Sequence, residues 1–280
     1  MILPHLVPFP PGGRARVGGD RLTPHHLTEA PPIMATPRAL VLRAPGTNCD
    51  EETAFAWELA GASVETCRLG EVLERPHTLD AYQILTFPGG FSYGDDLGAG
   101  RIFATRLGTV LKEALHRFHQ RGGLLLGICN GFQILVKAGL LPGQSSVASL
   151  THNDSGRFES LWVRLLPTPG LSPFLTDAEP IELPVAHGEG HYVTTDTTAG
   201  HVVLRYADGS NQPTMTYPAN PNGSRDAIAG LCDPTGRIFG LMPHPERHVN
   251  PLHHPRWTRQ GPKVEGDGLR IFRNAVAAIR

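Results

Sequence analysis

The chain has 280 residues, of which 40% are hydrophobic, so it can form a globular core as one large or two small domains. Its 25 basic and 26 acidic residues give a net charge of −1. The basic residues form no cluster of the kind that binds nucleic acid, so we expect no nucleic-acid partner. No apolar run approaches the roughly 18 residues of a membrane span, and the N-terminus does not resemble a secretory signal. We therefore expect a cytoplasmic protein with no membrane partner and with reduced cysteines.

Residues 1–37 differ from the rest of the sequence. They contain eight prolines, two Gly-Gly pairs and little hydrophobic periodicity. Such a segment cannot bury enough apolar surface to offset the entropy of ordering, so we expect a disordered N-terminal extension. A misplaced start codon, with Met34 as the true start, is the alternative. The folded domain is predicted to span residues 38–280.

Strands alternate with helices in the first half of this domain. Strands are predicted at residues 39–43, 63–67, 84–87 and 124–128, and all of these segments except 63–67 are mostly apolar. Helices are predicted at residues 50–60, 109–120 and 131–139. This alternation predicts right-handed crossovers, a mainly parallel sheet, and ligands beyond the carboxyl ends of its strands.

The second half is β-rich, with a single helix predicted near its end, at residues 268–279. Further strand segments are predicted at residues 161–166, 201–206, 226–232 and 237–242. We expect these segments to extend or flank the same sheet.

Cys129 is the strongest candidate nucleophile in the sequence. It follows the apolar segment 124–128 and lies between Gly127 and Gly131 at the start of a predicted helix. The glycines permit a tight strand-to-helix turn, and a helix N-terminus favours the thiolate form of a cysteine. A buried structural cysteine is the alternative interpretation. The flanking glycines and Gln133 favour the nucleophile.

A thiolate nucleophile needs a base, and the base needs an orienting group. His244 and Glu246 follow the predicted strand 237–242 and flank a proline whose φ angle is fixed. The chain has 14 histidines, so a solvated turn histidine is the alternative. The position of His244 after one strand end, with Cys129 after another, favours a general base with a carboxylate orienter.

Backbone amides can supply the oxyanion hole that acyl transfer requires. Gly90 lies in a Gly-Gly turn after the predicted strand 84–87, and Asn130 directly follows Cys129. Their N–H groups are the candidate donors. A simple glycine-rich turn is the alternative interpretation for Gly90.

A glycine-rich segment and two histidine pairs are only weak evidence for a phosphate site or a metal site. The glycine-rich segment 89–100 lacks the Gly-Lys-Ser/Thr ending of a phosphate-binding loop, so no ATP site is predicted. His187 and His191, and likewise His244 and His248, are four residues apart. Glycine or proline between them argues against the helix on which metal-binding pairs of this spacing lie. We predict no metal site and no cofactor in this chain.

Three elements in this order, a Gly-Gly turn, Gly-x-Cys-x-Gly-x-Gln and His-Pro-Glu, resemble the class I (triad-type) glutamine amidotransferases. Several segments narrow the resemblance to the glutaminase subunits of phosphoribosylformylglycinamidine synthase. They are residues 45–50, 87–95, 152–153, 157–159, 187–190 and 242–247. The resemblance covers residues 38–280, and it implies a mainly parallel α/β fold, a flavodoxin-like three-layer sandwich. The first 37 residues and the polar stretch 251–266 depart from the family pattern.

The resemblance also implies roles for the candidate residues. Cys129 would attack the side-chain amide of glutamine, His244 would transfer the protons, and Glu246 would orient the imidazole. Gly90 and Asn130 would hold the oxyanion. The implied substrate-binding residues are Gly89, Gln133, His152 and Asn153.

The implied partners are glutamine, a large synthetase subunit that uses ATP and magnesium, and a small third subunit. The residues themselves leave three alternative functions open. They are another class I amidotransferase, a non-catalytic regulatory protein of this fold, and a cysteine peptidase or hydrolase of a related fold.

Overall fold

A nine-stranded mixed sheet organises the fold of this computed structural model, which describes residues 35–95, 97–143, 147–195, 201–261 and 263–280. Residues Ala35–Arg280 form one compact unit. Residues 1–34 of the predicted N-terminal extension lie outside the described residues, so that extension stays a prediction.

Eleven strands are present in the described residues. They are β1 Arg38–Arg43, β2 Ser63–Arg68, β3 Ile84–Phe87, β4 Leu124–Ile128, β5 Ala148–Thr151, β6 Glu159–Pro167, β7 Ile181–His187, β8 His191–Thr194, β9 His201–Ala207, β10 Ile228–Cys232 and β11 Ile238–Leu241. The large sheet has the order β2-β1-β3-β4-β11-β10-β9-β6-β7, and β5 pairs with β8 in a separate two-stranded sheet.

The first five strands of this order pair in parallel, and their neighbours from β10 onward pair antiparallel. Strands β3, β4 and β11 are buried at every position. This burial explains their continuous apolar sequences, because a strand covered on both faces has no polar side. The predicted α/β fold class is confirmed, and the β-rich second half extends the same sheet.

Seven α-helices accompany the strands in the described residues. They are α1 Asp50–Leu59, α2 Leu69–Glu74, α3 Arg101–Arg106, α4 Lys112–Gln120, α5 Asn130–Lys137, α6 Trp257–Gln260 and α7 Leu269–Ile279. Helix α1 packs on α7, with Trp57 and Phe272 edge to face at 4.8 Å between ring centroids. Helix α5 packs on β3, β4 and β11. No helix in this part of the chain is long and apolar enough to cross a bilayer.

The helix predicted at residues 109–120 begins earlier than expected. It starts with α3 and passes through a π-helical segment, Leu107–Leu111, before α4. Gly108 and the β-branched Thr105 and Thr109 obscured its periodicity in the sequence. Five elements, α2, β5, β7, β8 and α6, were also not predicted. In the sequence of β7, Glu182 and Pro184 interrupt the apolar residues, so no strand was expected. In the folded strand every second residue is buried, and Glu182 and Pro184 lie on the less buried side.

Candidate active site

Cys129 lies at the sharp turn between β4 and α5. Its φ of +50° and ψ of −104° are strained for a residue with a side chain. Its N–H donates to the Leu241 carbonyl at 2.8 Å, which ties the turn to the end of β11. The thiol is buried and makes a weak hydrogen bond to the Ala186 carbonyl at 3.7 Å. Glycine is needed after this turn, because a Cβ on Gly131 would overlap the Phe87 carbonyl oxygen.

Replacing Gly131 by alanine is expected to lower the free energy of unfolding by about 1–3 kcal/mol, since α5 must move away from β3. Urea denaturation measures this loss. Gly70→Ala is the matched control, because a Cβ there meets nothing within 4 Å on α2. It should leave stability unchanged or raise it by up to about 1 kcal/mol. Equal stability of the Gly131 variant and the native protein would contradict this packing argument.

His244 and Glu246 form a buried hydrogen-bonded pair directly after β11. His244 Nδ1 lies 2.6 Å from Glu246 Oε1, and the two side chains are 2% and 0% exposed. The His244 N–H donates to the Pro184 carbonyl of β7 at 2.8 Å, and Pro245 begins a short 3-10 turn that includes Glu246. Burial alone would lower the pKa of His244, but the Glu246 carboxylate and nearby Cys129 raise it well above its usual value.

The parallel pairing of β4 with β11 brings Cys129 and His244 to the same edge of the sheet, because Ile128 pairs with Leu241. Cys129 lies close enough to raise the pKa of His244. No hydrogen bond of good geometry joins them, since within the described residues the buried His244 Nε2 has no partner. Catalytic hydrogen bonds between a nucleophile and its base are often long or poorly aligned before substrate binds.

The Gly89–Gly90 turn after β3 closes the same site. A Cβ on Gly89 would lie only 2.8 Å from His244 Cε1, so the backbone packs directly against the imidazole. Gly90 has a φ of +139°. In the described part of the chain, the N–H groups of Gly90 and Asn130 donate to no other backbone group. Both amides are thus available to an incoming oxyanion.

Asn130 and Gln133 belong to a buried polar network. The Asn130 amide donates to Gln133 Oε1 at 2.9 Å and to Asp95 Oδ1 at 3.2 Å, and it accepts from the Ser92 N–H. The Gln133 amide donates to the Glu189 carbonyl at 2.6 Å. This network joins α5 to the loops around the site.

The remaining two candidates, His152 and Asn153, differ in burial. His152 is exposed, whereas Asn153 is 3% exposed. Asn153 donates to the His187 and Arg157 carbonyls, both at 2.8 Å, and its Oδ1 accepts from the Gly190 N–H at 2.9 Å. Asn153 therefore holds the turn that follows β7.

Cys49 is a neighbour of the site that sequence reasoning missed. It precedes α1, and its sulfur accepts a hydrogen bond from the Arg247 guanidinium at 3.0 Å. A Cβ on Gly89 would lie 3.0 Å from this sulfur, close to the His244 ring. Its presence in the segment 45–50 was the only signal in the sequence, and nothing there placed it beside a histidine 195 positions away.

His187, the last residue of β7, is a second missed neighbour. Its Nδ1 lies 3.1 Å from Asn153 Oδ1, and its buried Nε2 has no partner among the described residues. Burial, and to a smaller extent the nearby positive charge of His244, lowers the pKa of His187 to about 3. The imidazole is therefore neutral at pH 7.

This buried imidazole should make the protein sensitive to acid. Between about pH 6.5 and about pH 3 the unfolded His187 binds a proton that the folded one does not, so stability falls as pH decreases. The contribution to the slope is up to about 1.4 kcal/mol per pH unit. Urea denaturation at several pH values should show a shallower slope for His187→Asn. The exposed control, His152→Asn, should keep the native slope, and an unchanged slope in His187→Asn would contradict this assignment.

Comparison with known proteins identifies the family. A family profile described as the CobB/CobQ-like glutamine amidotransferase domain matches residues 36–278. A phosphoribosylformylglycinamidine synthase subunit PurQ from Dehalococcoides mccartyi is 49% identical over 253 residues, which cover 88% of this chain and 99% of the relative. The subunit of the same name from Methanococcus maripaludis is 37% identical over 266 residues, covering 87% and 98% of the two chains.

A solved structure supports the same grouping. A chain of PurLQS from Thermotoga maritima is 35% identical, with a TM-score of 0.69, and the match covers 88% of this chain and 100% of that one. The profile match and the sequence identities to these relatives point to the same family. This chain belongs to the CobB/CobQ-like glutamine amidotransferases and, among them, to the PurQ subunits of phosphoribosylformylglycinamidine synthase.

Proposed function

We propose that this chain hydrolyses glutamine to glutamate and ammonia, with Cys129 as nucleophile, His244 as general base and acid, and Glu246 as orienter. The observation that carries the proposal is the buried 2.6 Å contact of His244 with Glu246, at the sheet edge where Cys129 lies in a strained turn. A carboxylate in this position fixes the imidazole ring and stabilises its protonated form.

Acylation begins when Cys129 Sγ attacks the side-chain carbonyl carbon of glutamine, with its proton held by His244 Nε2. The carbonyl oxygen becomes an oxyanion, and the N–H groups of Gly90 and Asn130 donate to it. When the intermediate collapses, the carbon–nitrogen bond breaks. His244 gives its proton to the leaving nitrogen, so ammonia departs and a glutamyl thioester stays on Cys129.

Deacylation uses the same groups, and His244 again acts first as a base and then as an acid. Water attacks the thioester carbonyl carbon while His244 takes its proton, and the same two amides stabilise the second oxyanion. The carbon–sulfur bond breaks, glutamate is released, and the proton on His244 returns to the sulfur. Glu246 keeps its carboxylate form throughout, because its role is to balance the charge of the imidazolium.

Substrate contacts are assigned to a smaller group of residues. Gly89 packs on His244, and Gln133 is hydrogen-bonded to Asn130, the residue after Cys129. In this proposal they shape the glutamine pocket. We assign Asn153 a supporting role through the turn after β7, where it accepts from the Gly190 N–H, and we assign the exposed His152 as a polar contact to the substrate.

We infer that the ammonia is used by a large synthetase subunit, which consumes ATP and magnesium to aminate formylglycinamide ribonucleotide, and that a small third subunit completes the complex. Membership of the PurQ family and the similarity to a chain of PurLQS support this assignment. In this assignment the present chain needs no cofactor of its own, because activation of the acceptor takes place in the partner.

Glutamate release from glutamine tests the proposal. It is measured for the chain alone and with the synthetase subunit, the nucleotide acceptor, ATP and magnesium. Hydrolysis should rise in the complete mixture and depend on Cys129. A complex that forms without any hydrolysis would refute the catalytic assignment and favour a regulatory role. Hydrolysis that never responds to the synthetase would refute the choice of ammonia acceptor.

A further inference from the structure

Cys49 is a buried thiol beside the triad that the proposed hydrolysis does not use. Its sulfur lies 3.0 Å from the Arg247 guanidinium and 3.2 Å from Asn48 Oδ1. The packing of Gly89 places the same sulfur next to the His244 ring.

Cys49, His244 and Glu246 together offer one ligand atom each within 4.8 Å of one another. The ligand atoms of a tetrahedral zinc ion, at bond lengths of 2.0–2.3 Å, are roughly 3.3–3.6 Å apart. The three side chains therefore need to approach one another by about 1 Å, a distance that side-chain rotation can supply.

Two atoms of this cluster have unused hydrogen-bonding capacity. Within the described residues, His244 Nε2 and Glu246 Oε2 are buried without a hydrogen-bond partner. The two side chains are 2% and 0% exposed, so bulk water does not satisfy them. Buried polar atoms without partners are costly. A bound cation would satisfy the Glu246 oxygen directly and the His244 nitrogen once its proton has left.

The donor set selects the kind of cation. One sulfur, one imidazole nitrogen and one carboxylate oxygen are zinc ligands, whereas magnesium and calcium prefer sites made only of oxygen. A thiolate and a carboxylate together balance a divalent charge. The competing positive group, Arg247, also bonds Glu52 at 3.3 Å and can keep that partner when a cation takes the Cys49 sulfur.

We propose that Cys49, His244 and Glu246 form an inhibitory site for a thiophilic divalent cation, with Zn²⁺ as its model ligand. Binding releases the Cys49 thiol proton and one proton of the His244 imidazolium to solvent, and it forms a sulfur–metal bond and a nitrogen–metal bond. It also engages His244, so the imidazole can no longer accept the proton of Cys129. The binding site stands on the geometry alone, and its inhibitory effect rests on the proposed glutamine hydrolysis.

Direct metal binding is tested first, in the full chain carrying Cys129→Ala so that the nucleophile cannot act as the ligand. Titration with Co²⁺ should give a sulfur-to-cobalt charge-transfer band, and Zn²⁺ should displace it at one ion per chain. The band should disappear when Cys49→Ala or Cys49→Ser is added, and should persist when Cys67→Ala is added as the matched control. A band that survives both Cys49 substitutions, or that never forms, would overturn the site.

Inhibition is tested second, with Cys129 intact and each variant normalised to its own rate without metal. Zn²⁺ should inhibit glutamine hydrolysis, and Cys49→Ala should raise the inhibitory concentration by about tenfold or more. Cys67→Ala should not change it. An unchanged inhibitory concentration in Cys49→Ala would overturn the proposal. Because cobalt binding requires no turnover, failure of the cation site and failure of the proposed hydrolysis give different results.

Discussion

Replacing Cys129 by alanine or serine should reduce glutamate release by about 10³-fold or more, while the fold is retained. The sulfur is the group that forms the thioester in the proposed reaction. The serine hydroxyl is a much weaker nucleophile in a site arranged for a thiol. Both replacements are no larger than cysteine, so the buried turn can accept them. An assay of glutamate release measures the loss of activity. Circular dichroism and the urea midpoint of unfolding show whether the fold is retained.

Detection of the covalent intermediate separates a role of Cys129 in the chemical step from a role in substrate binding. Acid quenching of the native protein during turnover, followed by mass spectrometry, should detect a glutamyl adduct on Cys129 and none on either variant. Cys67→Ser serves as the control for loss of a thiol, since Cys67 lies on β2 and contacts Glu71 rather than the triad. Normal hydrolysis by Cys129→Ala would end the assignment of the nucleophile.

Replacing Glu246 by glutamine should lower kcat/KM by roughly 10²–10⁴-fold, the usual contribution of positioned acid–base groups. The carboxylate lies 2.6 Å from His244 Nδ1 and is the main group that raises the pKa of this buried imidazole. Without it, burial dominates and the pKa falls. His244 then loses its proton at a lower pH, so the alkaline limb of the pH–rate profile should move toward acid.

Glu52→Gln is the matched control for Glu246→Gln. Glu52 is a half-buried carboxylate close to the site, but its ion pair is with Arg247 at 3.3 Å rather than with His244. It should leave the alkaline limb in place. If Glu246→Gln lowers the rate without moving that limb, the role of Glu246 is structural and the triad assignment would need revision.

The sequence predicted most of the parallel half of the sheet, because every strand there except β2 is a short apolar run next to turn residues. The segments at residues 84–87 and 124–128 match β3 and β4, whose burial on both faces leaves an uninterrupted apolar pattern. The elements that sequence analysis missed are short or amphipathic. Strand β7 is one of them, since only every second residue is buried.

The candidate triad was also readable from the sequence, for a physical reason. Residues that follow buried parallel strands gather at one edge of the sheet, so Cys129 and His244 had to lie near each other if β4 and β11 were neighbours. The Gly-Gly turn after β3 follows the same rule. The roles of these residues stay predictions that the variants above will test.

The sequence by itself determined the family membership, the parallel strands and the positions of the candidate nucleophile, base and oxyanion donors. These depend on local patterns, namely apolar runs, glycines at tight turns and short segments with restricted chemistry. Only the tertiary structure placed Cys49 beside His244 and enclosed Gln133 and Asn153 in hydrogen-bonded networks. Such contacts join residues far apart in the chain, and which strands become neighbours is decided by the packing of the whole sheet rather than by any segment alone.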